Sequence, residues 1–446
     1  MKRGGIFFLI MMVLFGTIGS EAVFAAPKLS ETATFRPILT WCGDPAATQA
    51  VAWDAADAGV LQYRKSGSDD AFKTVSPERT PETEGFDPHW EVKLTGLQPG
   101  TQYEYRLKTK RGTSESHTFC TAKADPDSVS VLLLGDVQFD VREEDYPIWG
   151  TLLRAAYERH PELDFALMTG DYVNTPESKK DWDCYFKEAS TVFSALPVMT
   201  APGNHETHYL PYSYLNRFAL PENGPDGGLE EFYSFHYGSC HFISMNSCVF
   251  LPERKEFEGS TNWNDLIARI DAWLKADLKA NTRPWIVVAL HHPPYGIEED
   301  SDLYEQIRTH WVPLWEAGGV QLVVCGHQHV YMRTEEQNGV TYVMSNSGQK
   351  RSHYYDADAL PDYVEKVEAE CSVYGILYAD RDTLKLNVYD PDGKAVDAWV
   401  YGQENRDGGY RIRDWKSNKA IGAAVLLLAL LGLRKGGTAL RRKTMK

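Results

Sequence analysis

Five apolar runs in this sequence break off into residues that bind cations. Val131-Leu132-Leu133-Leu134-Gly135 leads into Asp136-Val137-Gln138, and Ala166-Leu167-Met168-Thr169-Gly170 leads into Asp171. Pro197-Val198-Met199-Thr200 precedes Gly203-Asn204-His205-Glu206. Ile286-Val287-Val288-Ala289-Leu290 ends in His291-His292-Pro293, and the run 320–325 ends in Gly326-His327-Gln328-His329. Short continuous apolar runs with sharp polar stops read as strands buried on both faces. In α/β sheets the ligand site lies beyond the carboxyl ends of such strands. The tips then gather Asp, Asp, Asn, His and a His pair, oxygen and nitrogen donors suited to Zn, Mn or Fe. Asp171 is the centre of this pattern, because one carboxylate has two oxygens and can bridge two cations.

The surrounding chain divides by pattern. Its 446 residues suggest two or three domains. Residues 27–123 read as all-β, with alternating runs at 49–53, 60–63 and 90–94 separated by turn residues. The polar stretch 122–127, with Pro126, is a boundary. From 128 to 402 strands alternate with helical patterns, as in an α/β domain. Ile148, Leu152, Leu153 and Tyr157 share one helical face, and Leu266, Ile267, Ile270, Trp273, Leu274 and Leu278 another. Residues 222–229 and 251–261 read as loops near the rim of the site. Strands return at 384–389 and 395–401, around the turn Asp390-Pro391-Asp392-Gly393.

Composition restricts partners and compartment. A formal charge of −16 argues against nucleic acid as a general partner. It leaves room for a small anionic substrate, because bound metals can reverse the local field. Residues 1–25 read as a cleaved export signal, with Lys2 and Arg3 before the apolar stretch 6–15 and a mature start near Ala26. The seven cysteines are an odd number in a compartment that permits disulfides. Cys42 and Cys120, near the two ends of the first domain, are a candidate pair. Cys240 and Cys248 fall in one strand region, and Cys325 reads as a core thiol. A polar linker, 403–419, precedes an uncharged stretch at 420–433 and a basic tail at 434–446. Fourteen helical residues cover about 21 Å, short of the ~30 Å hydrocarbon core, but flanking lysines can snorkel. The expectation is a single-span anchor with the basic tail in the cytoplasm and the protein at the cell surface or periplasmic face.

The five motifs together resemble the metallophosphoesterase (calcineurin-like phosphoesterase) superfamily, whose pattern is Asp-x-His, Gly-Asp, Gly-Asn-His-Asp/Glu, a His before Pro, and Gly-His-x-His. Tyr214-Leu215-Asn216-Arg217-Phe218, Phe232-Tyr233-Ser234-Phe235 and His291-His292-Pro293-Pro294-Tyr295 resemble its purple-acid-phosphatase-like branch. Residues 97–106 resemble the turn-and-strand signature of fibronectin type III domains, and 40–45 the opening of the sandwich that precedes purple acid phosphatases. The resemblance implies a four-layer α/β/β/α sandwich behind a fibronectin-III-like all-β sandwich. It implies that Asp136 and His329 hold one metal, that Asn204, His291 and His327 hold a second, and that Asp171 bridges them. His205 matches a histidine that contacts the phosphate or leaving group, and His292 a residue on the substrate side.

The expected chemistry is in-line attack on a phosphate monoester by hydroxide bound to two metals, with His205 assisting the departing oxygen. A phosphodiesterase or nucleotide hydrolase on the same site is the alternative. A non-catalytic envelope binding protein is more distant. Two departures from the family pattern matter. Gln138 stands where the superfamily has histidine, and either ligates through its amide oxygen or only hydrogen-bonds a water. The tyrosine that ligates ferric iron in purple acid phosphatases is Asn174 here. Tyr172, the immediate neighbour of Asp171, would point to the opposite face of an extended chain. Two divalent ions and a colourless protein are therefore expected. Glu206 is a candidate for orienting His205. His208 and the acidic run 298–302 read as loop residues, and His236 and His241 as structural.

Overall fold

The computed structural model describes residues 35–81, 84–110, 112–139, 145–207, 212–297, 302–352 and 355–402. The leader 1–25, the stretches 403–419, 420–433 and 434–446, His208 and most of the acidic run 298–302 lie outside them. Among the described residues no helix is long and apolar enough to cross a membrane.

Alternating side chains and frequent turns build nine strands first: β1 (Ile38–Thr40), β2 (Gln49–Asp54), β3 (Val60–Lys65), β4 (Lys73–Val75), β5 (Glu78–Arg79), β6 (His89–Leu94), β7 (Gln102–Thr109), β8 (Gly112–Thr113) and β9 (His117–Cys120). They form two antiparallel sheets, β1-β2-β6-β5 and β4-β3-β7-β8, with β9 on β7. In β7 the residues Tyr103, Tyr105 and Leu107 turn inward, the period-2 pattern of a half-buried strand. They meet Leu61 and Phe119 from the neighbouring strands β3 and β9 and Val51 and Trp53 from β2 of the other sheet.

The remaining elements are β10 (Val129–Leu134), α1 (Asp145–Arg159), β11 (Phe165–Met168), α2 (Lys179–Phe193), β12 (Val198–Thr200), α3 (Asn204–Thr207), α4 (Tyr212–Leu215), β13 (Tyr233–Tyr237), β14 (Cys240–Ser244), α5 (Pro252–Glu258), α6 (Ser260–Ala280), β15 (Trp285–Ala289), α7 (Asp302–His310), α8 (Val312–Gly318), β16 (Leu322–Cys325), β17 (Tyr331–Thr334), β18 (Thr341–Met344), β19 (Val364–Glu368), β20 (Tyr374–Ala379), β21 (Thr383–Tyr389) and β22 (Ala395–Gly402). A six-stranded sheet runs β12-β11-β10-β20-β21-β22, and a seven-stranded sheet runs β13-β14-β15-β16-β18-β17-β19. Alternate residues of β15 separate to its two faces. Val287 and Ala289 pack toward the first sheet, while Ile286 and Val288 pack with Leu266, Ile270 and Trp315 of α6 and α8. Helices α1 and α2 cover the other face of the first sheet through Leu152, Leu153, Phe186 and Ala189. The result is the α/β/β/α sandwich behind an all-β domain. Burying each such side chain stabilises the fold by roughly 1.5–3 kcal/mol.

Strands β10, β11 and β12 are mutually parallel, as are β15 and β16, so within each sheet the polar tips emerge at the same end. The N-terminal domain is joined to this body. Trp41 is buried against Phe165, Phe235 and Tyr237 at 5.2, 5.9 and 5.7 Å between ring centres. The Tyr105 hydroxyl donates to the Ser194 carbonyl (2.7 Å), and Arg217 bonds Asp54 (2.7 Å).

Several sequence expectations need correction. Residues 252–258 and 260–261 are helical, forming α5 and the start of α6. Pro252 occupies the first turn of α5, where its missing N–H costs nothing. No residue of α5 is buried, so it has no apolar stripe to read. The loop 222–229 bonds to β13 and α6, through Asn223 with Ser234, Arg269 with Asp226, and Trp273 with Asn223. Ile148 is 49% exposed and does not join the core face of α1. None of the seven cysteines is in a disulfide, so Cys42 and Cys120 do not pair. Cys248 lies in a 3₁₀ turn, Ser247–Phe250, beyond the strand that holds Cys240.

Candidate metal centre

The strand tips converge on Asp171. Four residues at these tips have left-handed backbone: Asp136 (φ 52°), Asp171 (57°), His327 (83°) and His329 (51°). Such conformations cost non-glycine residues on the order of 1 kcal/mol or more and persist where surrounding structure fixes them, commonly at functional sites. The neighbouring glycines make room. A Cβ on Gly203 would overlap the Asp171 carboxylate, and one on Gly326 would press on the Asp136 carboxylate.

On one side of Asp171, three neutral-type donors meet. His291 Nε2 and His327 Nδ1 each lie 2.9 Å from Asn204 Oδ1 and 3.2 Å from each other. His291 Nε2 is also 3.3 Å from Asp171 Oδ2. The His291 Nδ1–H donates to the Thr169 carbonyl (2.8 Å), which turns Nε2 inward. On the other side, Asp136, Asp171 and His329 offer atoms within 4.8 Å of one another. Gln138 sits among them. Its Nε2 donates to Asp171 Oδ2 (2.8 Å) and lies 3.0 Å from His329 Nε2. Its Oε1 is buried with no partner among the described residues. An orphaned buried acceptor is costly, and a cation beside it would satisfy it. The Asp136 carboxylate accepts the His327 N–H at 2.8 and 2.9 Å.

Burial and mutual charge shift the groups of the centre in different directions. Burial opposes ionisation of Asp171, but the His291 and His205 charges hold its carboxyl well below the usual range. Burial also works against a charged His291, and Asp171 overcomes it, raising His291 to about 9. Burial lowers His327 and His329 to about 3, with His291 and Lys350 respectively adding repulsion. These two imidazoles therefore keep free lone pairs at neutral pH. Burial raises Asp136 to about 7, with His291 opposing and Asp171 reinforcing.

His205 and His292 differ in setting. The His205 side chain is 24% exposed, with Nε2 3.9 Å from Asp171 Oδ2. Its Nδ1–H donates to the Asn174 carbonyl (2.6 Å), leaving Nε2 for a ligand. His292, expected on the substrate side, is 2% exposed. Its Nδ1 pairs with the Ser247 hydroxyl (2.9 Å), and its ring centre lies 4.3 Å from that of His327. It is part of the buried histidine group, not of the open rim.

Glu206 does not orient His205. Its carboxylate accepts four backbone N–H groups: Asp171 (2.8 Å), Gly203 (2.9 Å), Tyr172 (2.7 Å) and Val173 (3.3 Å). The side chain clamps the turn that carries Asp171 to the turn that carries Asn204. Bonds to backbone amides have no sequence signature, so this role was not legible. Tyr172 points into the core, its hydroxyl donating to the Ala201 carbonyl (2.7 Å). His236 and His241 lie in β13 and β14, pairing with Arg283 and Asp277. A cleft of about 770 Å³ is lined by Cys42, Lys123, Glu222, His236 and Arg283, none of them a candidate ligand.

Comparison with known proteins agrees with this geometry. Residues 129–331 match the calcineurin-like phosphoesterase family, and 34–121 match the purple acid phosphatase N-terminal domain. An uncharacterized protein of Mycobacterium tuberculosis is 29% identical over 275 residues, 55% of this chain and 50% of that protein. Acid phosphatase type 7 of Mus musculus is 30% identical over 264 residues, 54% of this chain and 56% of that enzyme. The chain thus spans about half the length of the curated relatives it matches. The purple acid phosphatase from yellow lupin seeds shares the fold at TM-score 0.64 and 16% identity, over 88% of this chain and 78% of that one.

Proposed function

We propose that this chain, which carries a calcineurin-like phosphoesterase domain behind a purple acid phosphatase N-terminal domain, is an exported metal-dependent hydrolase of phosphate monoesters. The observation that carries the reading is the two-sided convergence on Asp171. Asn204, His291 and His327 would hold one cation, Asp136, His329 and the Gln138 amide oxygen a second, and Asp171 both. With a cation in place of the His291 proton the first set would be neutral, and Asp136 and Asp171 would supply the negative charge of the ligand set, which favours two divalent ions such as Mn, Zn or Fe. Bound there, such ions would supply positive charge against the phosphate oxygens and acidify a water.

The chain's own residues supply the rest. His205, fixed by the Asn174 carbonyl, presents Nε2 at the open side and donates a proton or hydrogen bond to the departing oxygen. His292 is buried beside His327 with its Nδ1 paired with the Ser247 hydroxyl, and it offers a ring nitrogen within 4.8 Å of those of His291 and His327. Glu206 keeps the Asp171 and Asn204 turns in register. Export through residues 1–25 and anchoring through 420–433 belong to the same proposal and rest on the sequence alone.

The test is hydrolysis of an aryl phosphate monoester against the matching diester, with the protein loaded with Mn, Zn or Fe. Metal-dependent preference for the monoester is expected. Preference for the diester would move the assignment to a phosphodiesterase. No turnover from a folded, metal-loaded protein would overturn the enzymatic reading.

A further inference from the structure

The segment 345–352 between β18 and β19 is fastened to the metal-centre residues by its backbone. Ser347 N–H donates to the Gly135 carbonyl (2.7 Å) and Gly348 N–H to the Asp136 carbonyl (3.0 Å). Ser352 N–H donates to the His329 carbonyl (3.2 Å). One buried amide, Asn346 Nδ2, donates to both the His329 carbonyl (2.9 Å) and the Lys350 carbonyl (2.8 Å). The backbone of Lys350 is thereby held beside that of His329.

The two cations of this segment are used differently. The Arg351 guanidinium is spent on the Gly348, Lys350 and Glu370 carbonyls and the Ser372 hydroxyl. The Lys350 ammonium has no hydrogen-bond or ion-pair partner among the described residues, and the residue is half-buried. Its charge is felt at both Asp136 and His329. A lysine on the open surface would be a solvated bystander. The backbone of this one is fixed at the edge of a cation-binding centre, and the Asp136 carboxylate attracts its charge toward that centre.

We propose that Lys350 selects the substrate by charge: its ammonium meets a non-bridging oxygen of the phosphoryl group and favours dianionic monoesters over monoanionic diesters. The proposal rests on the phosphoesterase reading. A charge-assisted hydrogen bond of this kind corresponds to roughly 10- to 100-fold in affinity or rate.

The experiment compares the metal-loaded wild-type chain with Lys350→Gln and Lys350→Arg. Metal content is measured first and should be equal in all three. Inorganic phosphate is then titrated calorimetrically, a readout that needs no turnover. Its affinity should fall about 10-fold or more in Lys350→Gln and recover in Lys350→Arg. For the aryl monoester kcat/KM should fall by a similar factor, and for the matching diester by less than about threefold. Unchanged phosphate binding in Lys350→Gln, or equal losses for monoester and diester, would overturn the proposal. If the wild type binds phosphate through Lys350 yet turns nothing over, the phosphoesterase reading fails while the anion-binding role of Lys350 stands.

Discussion

Replacing Glu206 by glutamine changes one atom and should loosen the whole centre. The carboxylate accepts Asp171 and Gly203 N–H on one oxygen and Tyr172 and Val173 N–H on the other. Glutamine has a single oxygen. Whichever way the amide turns, two buried N–H donors face an NH₂ donor. Each orphaned donor costs about 1–3 kcal/mol, so the pair costs roughly 2–6 kcal/mol of the 5–15 typical of a whole domain. Burial and the Asp171 charge raise this carboxyl to about 7, so the assay belongs at pH 8, where it is ionised. Urea unfolding of Glu206→Gln should show a lower midpoint at unchanged slope. Metal titration should show weaker binding, because the turns bearing Asp171 and Asn204 are no longer clamped. For stability, electrostatics alone predicts the opposite sign, since removing a negative charge beside Asp171 relieves repulsion, so the unfolding midpoint is the readout that separates the two. A wild-type midpoint with equal or tighter metal binding would refute the clamp.

Asp164 provides a pH test away from the centre. It is buried, accepts Ser130 N–H and the Tyr237 hydroxyl, and burial raises it to about 6. The native state therefore holds a proton that the unfolded chain releases near pH 4. Its stabilising contribution is complete below about pH 4 and is lost as pH rises through about 6. Asp164→Asn should flatten that part of the stability profile by about 3 kcal/mol, and an unchanged profile would contradict it. His205→Ala should lower kcat for the monoester by roughly 10²–10⁴ while leaving metal content intact; loss of metal would mean that His205 is a ligand instead. With Asn174 where a phenolate would sit and Tyr172 buried, the metal-loaded protein should lack an intense visible charge-transfer band, and a purple sample would contradict the divalent pair.

Much of the scaffold was readable because two-sided burial leaves a strong mark. Strands packed between sheet and helix, such as β15 and β16, need apolar residues at every position, and their ends show as abrupt polar stops. The ligand-type residues stood at those stops, so Asp136, Asp171, Asn204, His291, His327 and His329 could be named together. What failed to show depends on contacts that sequence does not encode locally. Glu206 acts on backbone amides, and His205 is oriented by the carbonyl of Asn174, to which any residue could contribute. Helix α5 lacks a buried face, and the spacing of Cys42 and Cys120 says nothing about whether their side chains meet. His292 is expected on the substrate side by resemblance, whereas the turn after β15 carries its ring and that of His291 inward, 4.9 Å apart.

The most direct measurement is metal stoichiometry in wild type and Asp171→Asn, taken on folded protein after equilibrium with Mn, Zn or Fe. Two ions per chain in the wild type, with loss of both and of monoester hydrolysis in Asp171→Asn, is the result expected if one carboxylate joins the two sides of the centre. A variant that keeps two ions and its activity would contradict that claim, and with it the dinuclear reading of the site.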